Sequence, residues 1–179
     1  MAVIVDYYDV ATGGGYTLYS GNYTKVSQSF TVGGEGTLNS CKFKLMKYGT
    51  TGLPTGNAVV KIYTHSGIYG TSSVPTGSAL ATSDNFDVST LTTTATWTTF
   101  TFSSTNKITL TAEEYYCVAL EYSGGDVDNS IFAGLKTVSY THSGNSAYYI
   151  DSWTAQAYDL VFYVYKDGGV FPLPTYFQP

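Results

Sequence analysis

Apolar and polar residues alternate with a period of two along most of this chain, and a helical period is almost absent. Successive side chains on a β-strand point to opposite faces, so the pattern commits the chain to half-buried strands. Turn-forming Gly, Pro, Asn, Asp and Ser interrupt it at short intervals, as between the strands of hairpins. Composition bears on the same point: 18 of 179 residues are Tyr, only 12% are charged, and all eight basic residues are Lys. The long charged side chains that coat helices are therefore scarce. The outside must be built from Thr, Ser, Tyr, Asn and Gly, which suits twisted antiparallel sheets. The expected fold is all-β, an antiparallel β-sandwich of jelly-roll type with extended N- and C-terminal arms. The length allows one sizeable core and is small for two.

The sandwich is expected over 24–166. Val26, Gln28, Phe30 and Val32 can share one face of its first strand. Cys41, Phe43 and Leu45 then point one way while Lys42, Lys44 and Lys47 point largely outward. Further strands are predicted over 57–64, 80–83, 86–91, 96–102, 107–110, 131–135, 147–151 and 159–165, with the most apolar one, 115–122, in a central position. The polar stretch 65–78 is predicted to be a long surface loop, and 112–114 a helical turn.

The two ends read differently. Residues 1–23 form an N-terminal arm or strand, with an apolar start and then the triplet Gly13-Gly14-Gly15, read as a hinge. Residues 167–179 hold three prolines, which keep a tail extended, and Phe171, Leu173, Tyr176 and Phe177, which need burial. Those four are the expected assembly residues, docking on the chain's own sandwich or on a neighbouring subunit.

Net charge is −5, pI is near 4.7, and the lysines are scattered, which disfavours nucleic acid and anionic membrane surfaces as partners. No apolar run approaches the ~20 residues of a spanning helix. The start has neither the basic nor the apolar region of a secretory signal, which leads to the expectation of a mature form or of release without a signal, as in lysis.

Few residues suggest chemistry. The pentapeptide Tyr-Thr-His-Ser-Gly occurs at 63–67 and 140–144 and contains both histidines; it reads as matching turn caps, with ligand contact by His142 as the alternative. Asp126, Asp128 and Asn129 cluster oxygens on a loop, as a structural Ca²⁺ would require and as an ordinary exposed turn also does; no other cofactor is implied. Glu121, inside the most apolar strand, points to an edge position or a lysine partner. Cys41 and Cys117 read as reduced core residues or as a disulfide between strands. No hydrolase, phosphate-loop or dinucleotide fingerprint occurs, and the chain is not expected to be an enzyme. Trp97, Trp153, Tyr148, Tyr149 and Tyr158 offer flat faces among amide and hydroxyl groups. Trp153, Tyr148, Tyr149, Asn145 and His142 are the first candidates for contact with a glycan.

A longer series runs through the chain: Gln28-Ser-Phe-Thr-Val32, Leu38-Asn-Ser-Cys-Lys-Phe-Lys-Leu45, Pro54-Thr-Gly-Asn57, Lys61-Ile-Tyr63, Thr98-Thr-Phe-Thr-Phe102, Leu120-Glu-Tyr-Ser-Gly-Gly-Asp126 and Asp159-Leu-Val-Phe-Tyr-Val-Tyr165. Over about three quarters of the chain this resembles a jelly-roll module of phage and metagenomic virion structural proteins. It is also similar to noncatalytic carbohydrate-binding or surface-anchoring domains of bacteria. The resemblance implies a capsid decoration, fibre or tail-associated subunit located on a virion. Its partners would be copies of itself, other virion structural proteins and cell-surface polysaccharide. A carbohydrate-binding module or a microbial surface-filament subunit is the alternative.

Overall fold

The alternation resolves into two antiparallel sheets in a computed structural model of the chain, which describes residues 1–168. Phe171, Leu173, Tyr176 and Phe177 of the expected C-terminal arm lie outside the described residues. Sheet A is built on the long strand β4 (Gly36–Tyr48). One edge of β4 pairs with β8 (Thr96–Thr101) and β9 (Thr109–Leu110); β15 (Phe162–Asp167) and β11 (Ser130–Lys136) also pair with it. Outside these lie β1 (Ala2–Tyr8) on β15, and β2 (Gly14–Leu18) and β14 (Asp159–Leu160) on β11. Sheet B has the order β13 (Trp153–Gln156), β12 (Ser146–Tyr149), β3 (Lys25–Thr31), β10 (Tyr115–Glu121), β5 (Asn57–Ser66) and β6 (Val74–Thr82), with the short β7 (Phe86–Asp87) also on β5.

The core lies between the sheets. Phe30, Val60, Ile62, Val118 and Leu120 come from sheet B and meet Phe43, Leu45, Phe100, Ile131, Phe162 and Val164 from sheet A, every one of them essentially inaccessible to water. This is the arrangement of a β-sandwich, and the central strands β3 and β10 of sheet B are buried on both faces. Cys41 belongs to this core, whereas Cys117 packs on the outer face of sheet B with Tyr63, Ala119 and Trp153. A whole sheet separates the two thiols, and both are free. Burial pushes both thiol pKa values up, Cys117 to about 12.

Several elements differ from the sequence reading. Residues 1–23 supply β1 and β2, which pair within this same chain. Gly14 and Gly15 are strand residues rather than a hinge, and Gly15 lies directly under the ring of Phe132. The stretch 65–78 is not one long loop: β5 runs to Ser66, β6 starts at Val74, and only 67–73 connect them. Residues 112–114 form a turn with Glu113 at φ 65° rather than a helical turn. The helical turns among the described residues are Val88–Thr90 and Ser104–Asn106.

Two register slips shape the surface. In β1, Ile4 faces Tyr165 and Asp6 faces Val164, so Val5 is the extra residue of a bulge. In β4 the slip falls at Asn39, which lets both Leu38 and Cys41 point inward. The first bulge turns Asp6 towards the interior and Tyr7 outward, where Tyr7 is 52% exposed.

Candidate functional site

The two histidines share a pentapeptide but not a conformation. Tyr63–Ser66 are the last residues of β5, and Gly67 turns the chain at φ 86°. In the second copy, His142 is folded into the end of the sandwich. Gly144 N–H and the Gln28 side-chain amide both donate to His142 Nδ1, at 3.0 and 3.2 Å. The ring proton therefore sits on Nε2 and is donated to Asp6 Oδ1 at 3.2 Å. Buried Asp159 accepts from the His142 backbone N–H and from Gln28 Nε2, both at 3.1 Å. Burial pushes the Asp159 carboxyl up, and its bonds to Gln28 and His142 pull it back. With both ring nitrogens engaged, His142 ties β1, β3 and the 140–144 loop together. Asn145 is likewise buried and committed: it bonds both the N–H and the C=O of Ser73, and its own N–H donates to Ser29 Oγ.

Tyr148 and Tyr149 are neighbours on β12 and so point to opposite faces. Tyr148 goes inward, its ring 4.8 Å from that of Tyr23 and 6.2 Å from that of Tyr16. Tyr149 goes outward and meets Trp153 edge-on at 5.4 Å, with Lys25 Nζ 4.7 Å from its ring centre. Trp153 spends part of its surface covering Tyr63, Cys117 and Ala119. Beside them Glu121 accepts from Lys61 and from the Tyr63 hydroxyl, both at 2.7 Å, with Lys25 at 3.8 Å. The odd carboxylate thus has its lysine partners, on a central strand rather than at an edge. Of the five glycan candidates, Tyr149 and Trp153 come together on an outer face; Tyr148, Asn145 and His142 are held inside.

The loop carrying Asp126, Asp128 and Asn129 is a closed turn. Asp126 Oδ1 accepts from the N–H groups of Asp128 and Asn129 and from the Asn129 side-chain amide. Asn129 Oδ1 accepts from Thr51 Oγ1 and Leu53 N–H. These oxygens hold the adjoining 49–53 loop, the role short polar side chains commonly take in turns. Among the described residues no three His, Cys, Asp or Glu side chains converge on one point.

The larger aromatic surface is on the outer face of sheet A, where sequence reasoning singled out only Trp97. Tyr7 of β1 stacks on Tyr163 of β15 at 5.4 Å and 10° between planes, and Tyr163 stacks on Tyr165 at 5.6 Å. Trp97 of β8 meets Tyr163 edge-on at 4.8 Å. Between them β4 sends out Lys42 and Lys44, over the rings of Tyr165 and Trp97. The Tyr163 hydroxyl donates to Asp9 Oδ2 at 2.6 Å, and that bond leads the causes that push its pKa up to about 12. Tyr163 and Tyr165 could have been found from their outward phase in the run Phe162-Tyr-Val-Tyr165. Nothing local marks Tyr7 as their neighbour.

No family model, no curated protein and no solved structure matches this chain. The geometry supplies ring surfaces flanked by ammonium and hydroxyl donors. Such a surface can hold a ligand with both apolar faces and polar edges.

Proposed function

We propose that this chain is a non-enzymatic structural subunit of a virion surface, a jelly-roll-type sandwich that adheres to polysaccharide. The observation that carries the adhesive part is the cross-strand aromatic row of Tyr7, Tyr163, Tyr165 and Trp97 on sheet A. A row assembled from three strands is wide enough to meet several sugar rings, and lysine and hydroxyl donors border it. The virion setting and the jelly-roll type rest on the resemblance carried by residues 28–165. Copies of the chain and other virion structural proteins are the partners that reading implies.

A glycan array of bacterial and plant polysaccharides tests the adhesive role. Wild-type protein is expected to mark defined spots, W97A/Y163A to lose them, and Y149A/W153A on the other sheet to keep them. A blank array, or loss confined to Y149A/W153A, would refute this use of the sheet A face.

A second reading, symmetric assembly without a ligand, is favoured by one feature. Among the described residues β1 is an edge strand, and Val3 and Ile4 on it are each 45% exposed.

A further inference from the structure

The sheet A face combines its rings with two ammonium groups that have no acidic partner among the described residues. Lys42 Nζ stands 5.2 Å from the centre of the Tyr165 ring, and Lys44 Nζ stands 6.0 Å from that of Trp97. Among the described residues neither forms an ion pair. Lys25 and Lys61 on the opposite sheet share Glu121, and Lys107 holds Asp167. Asp9, the carboxylate bonded to the row, is occupied by the Tyr163 hydroxyl. In a protein of net charge −5, two unpaired cations on one aromatic face are a local reversal of sign.

We propose that the ligand of this face is a carboxylated polysaccharide, a chain containing uronic acids; this rests on the adhesive reading above. Sugar faces would lie on Tyr7 and Trp97 while uronate carboxylates accept hydrogen bonds from Lys42 and Lys44. The two lysines are alternate residues of β4, so their backbones are about 7 Å apart, and their flexible stems let the ammonium groups follow charges spaced along an extended chain. Densely sulfated chains call for clustered cations, and the Arg fork that grips such groups is absent. Two point charges set among rings fit a polymer with at most one charge per sugar and uncovered ring faces.

Affinity electrophoresis of the full chain in gels containing polygalacturonate, neutral galactan or dextran sulfate tests this. The protein's own negative charge works against uptake by either polyanion, so retardation requires a specific site. Expected is retardation by polygalacturonate, weakened about tenfold or more in K42Q/K44Q with an unchanged melting curve. Equal retardation by neutral galactan, with K42Q/K44Q unaltered, overturns the uronate assignment and leaves the adhesive reading standing. Tighter binding to dextran sulfate than to polygalacturonate also overturns it, pointing to simple ion exchange. Binding to none of the three, together with a blank glycan array, removes the adhesive reading itself.

Discussion

Tyr16 shows how a single side chain is governed by where its strand is packed. Its ring is buried against Tyr23 and Tyr148, and its hydroxyl lies 3.3 Å from Ser146 Oγ. Desolvation is the largest of the influences that push its pKa from 10 to about 12, with the Ser146 bond opposing. The unfolded chain loses this proton near pH 10 while the folded chain keeps it, so the unfolded state binds fewer protons across that window. Stability is therefore full below pH 10 and falls as pH rises from 10 to about 12, by about 2–3 kcal/mol from this group. In Y16F the decline should be shallower by that amount, read as urea midpoints between pH 9 and 12. Identical slopes for Y16F and wild type would show that Tyr16 does not titrate from a buried state. At this scale the sequence was a partial guide. It identified Tyr148 and Tyr149 together, and the alternation of β12 separated them into one core residue and one surface residue.

At the scale of the element, close approaches and bulges matter more than propensity. The glycine triplet at 13–15 looks like a hinge in sequence, yet β2 lies so near β11 that a Cβ at Gly15 would enter the Phe132 ring and press on the Ala133 carbonyl. Glycine is needed there for space rather than for flexibility. G15A should lower stability by about 1–3 kcal/mol in urea unfolding. G33A, where nothing stands within 4 Å, serves as the control and should leave stability near that of wild type. Equal midpoints for the two variants would mean that β2 does not sit against β11 as described. The bulge at Val5 has a functional consequence. Under unbroken alternation Asp6 would point outward with Ile4, and Tyr7 inward. The slip reverses both, sending Asp6 to His142 and Tyr7 to the aromatic row. The pentapeptide illustrates the same limit, because identical residues end a strand in one place and cap the sandwich in the other.

For the whole molecule, the remaining question is whether the sandwich acts alone or assembled. The chain leaves β15 at Asp167, and Gly168 N–H bonds to Met1 C=O at 2.8 Å, which ties the last described residue to the start of β1. Every strand of the two described sheets lies within residues 1–168. If Phe171, Leu173, Tyr176 and Phe177 dock on a neighbouring copy, light scattering should give an oligomer for the full chain and a monomer for 1–168, with melting curves nearly alike. The same mass for both chains removes the tail from assembly. What the sequence determined by itself was the local commitment to strands: the all-β class, the inward set of Cys41, Phe43 and Leu45, the outward Lys42 and Lys44 of β4, and the central place of 115–122. Each follows from period-two alternation or from apolar density, and both can be read in a short window. Lys47, expected outward, instead keeps the phase of Leu45 and pairs with buried Ile131. Only the tertiary structure decided which strands became neighbours, where register slipped, and therefore that Tyr7 would stack on Tyr163 and Asp6 would meet His142. Pairing between distant strands is settled by how the two sheets close over one shared core, and a one-residue slip exchanges the buried and exposed sets of side chains without changing a letter of the sequence.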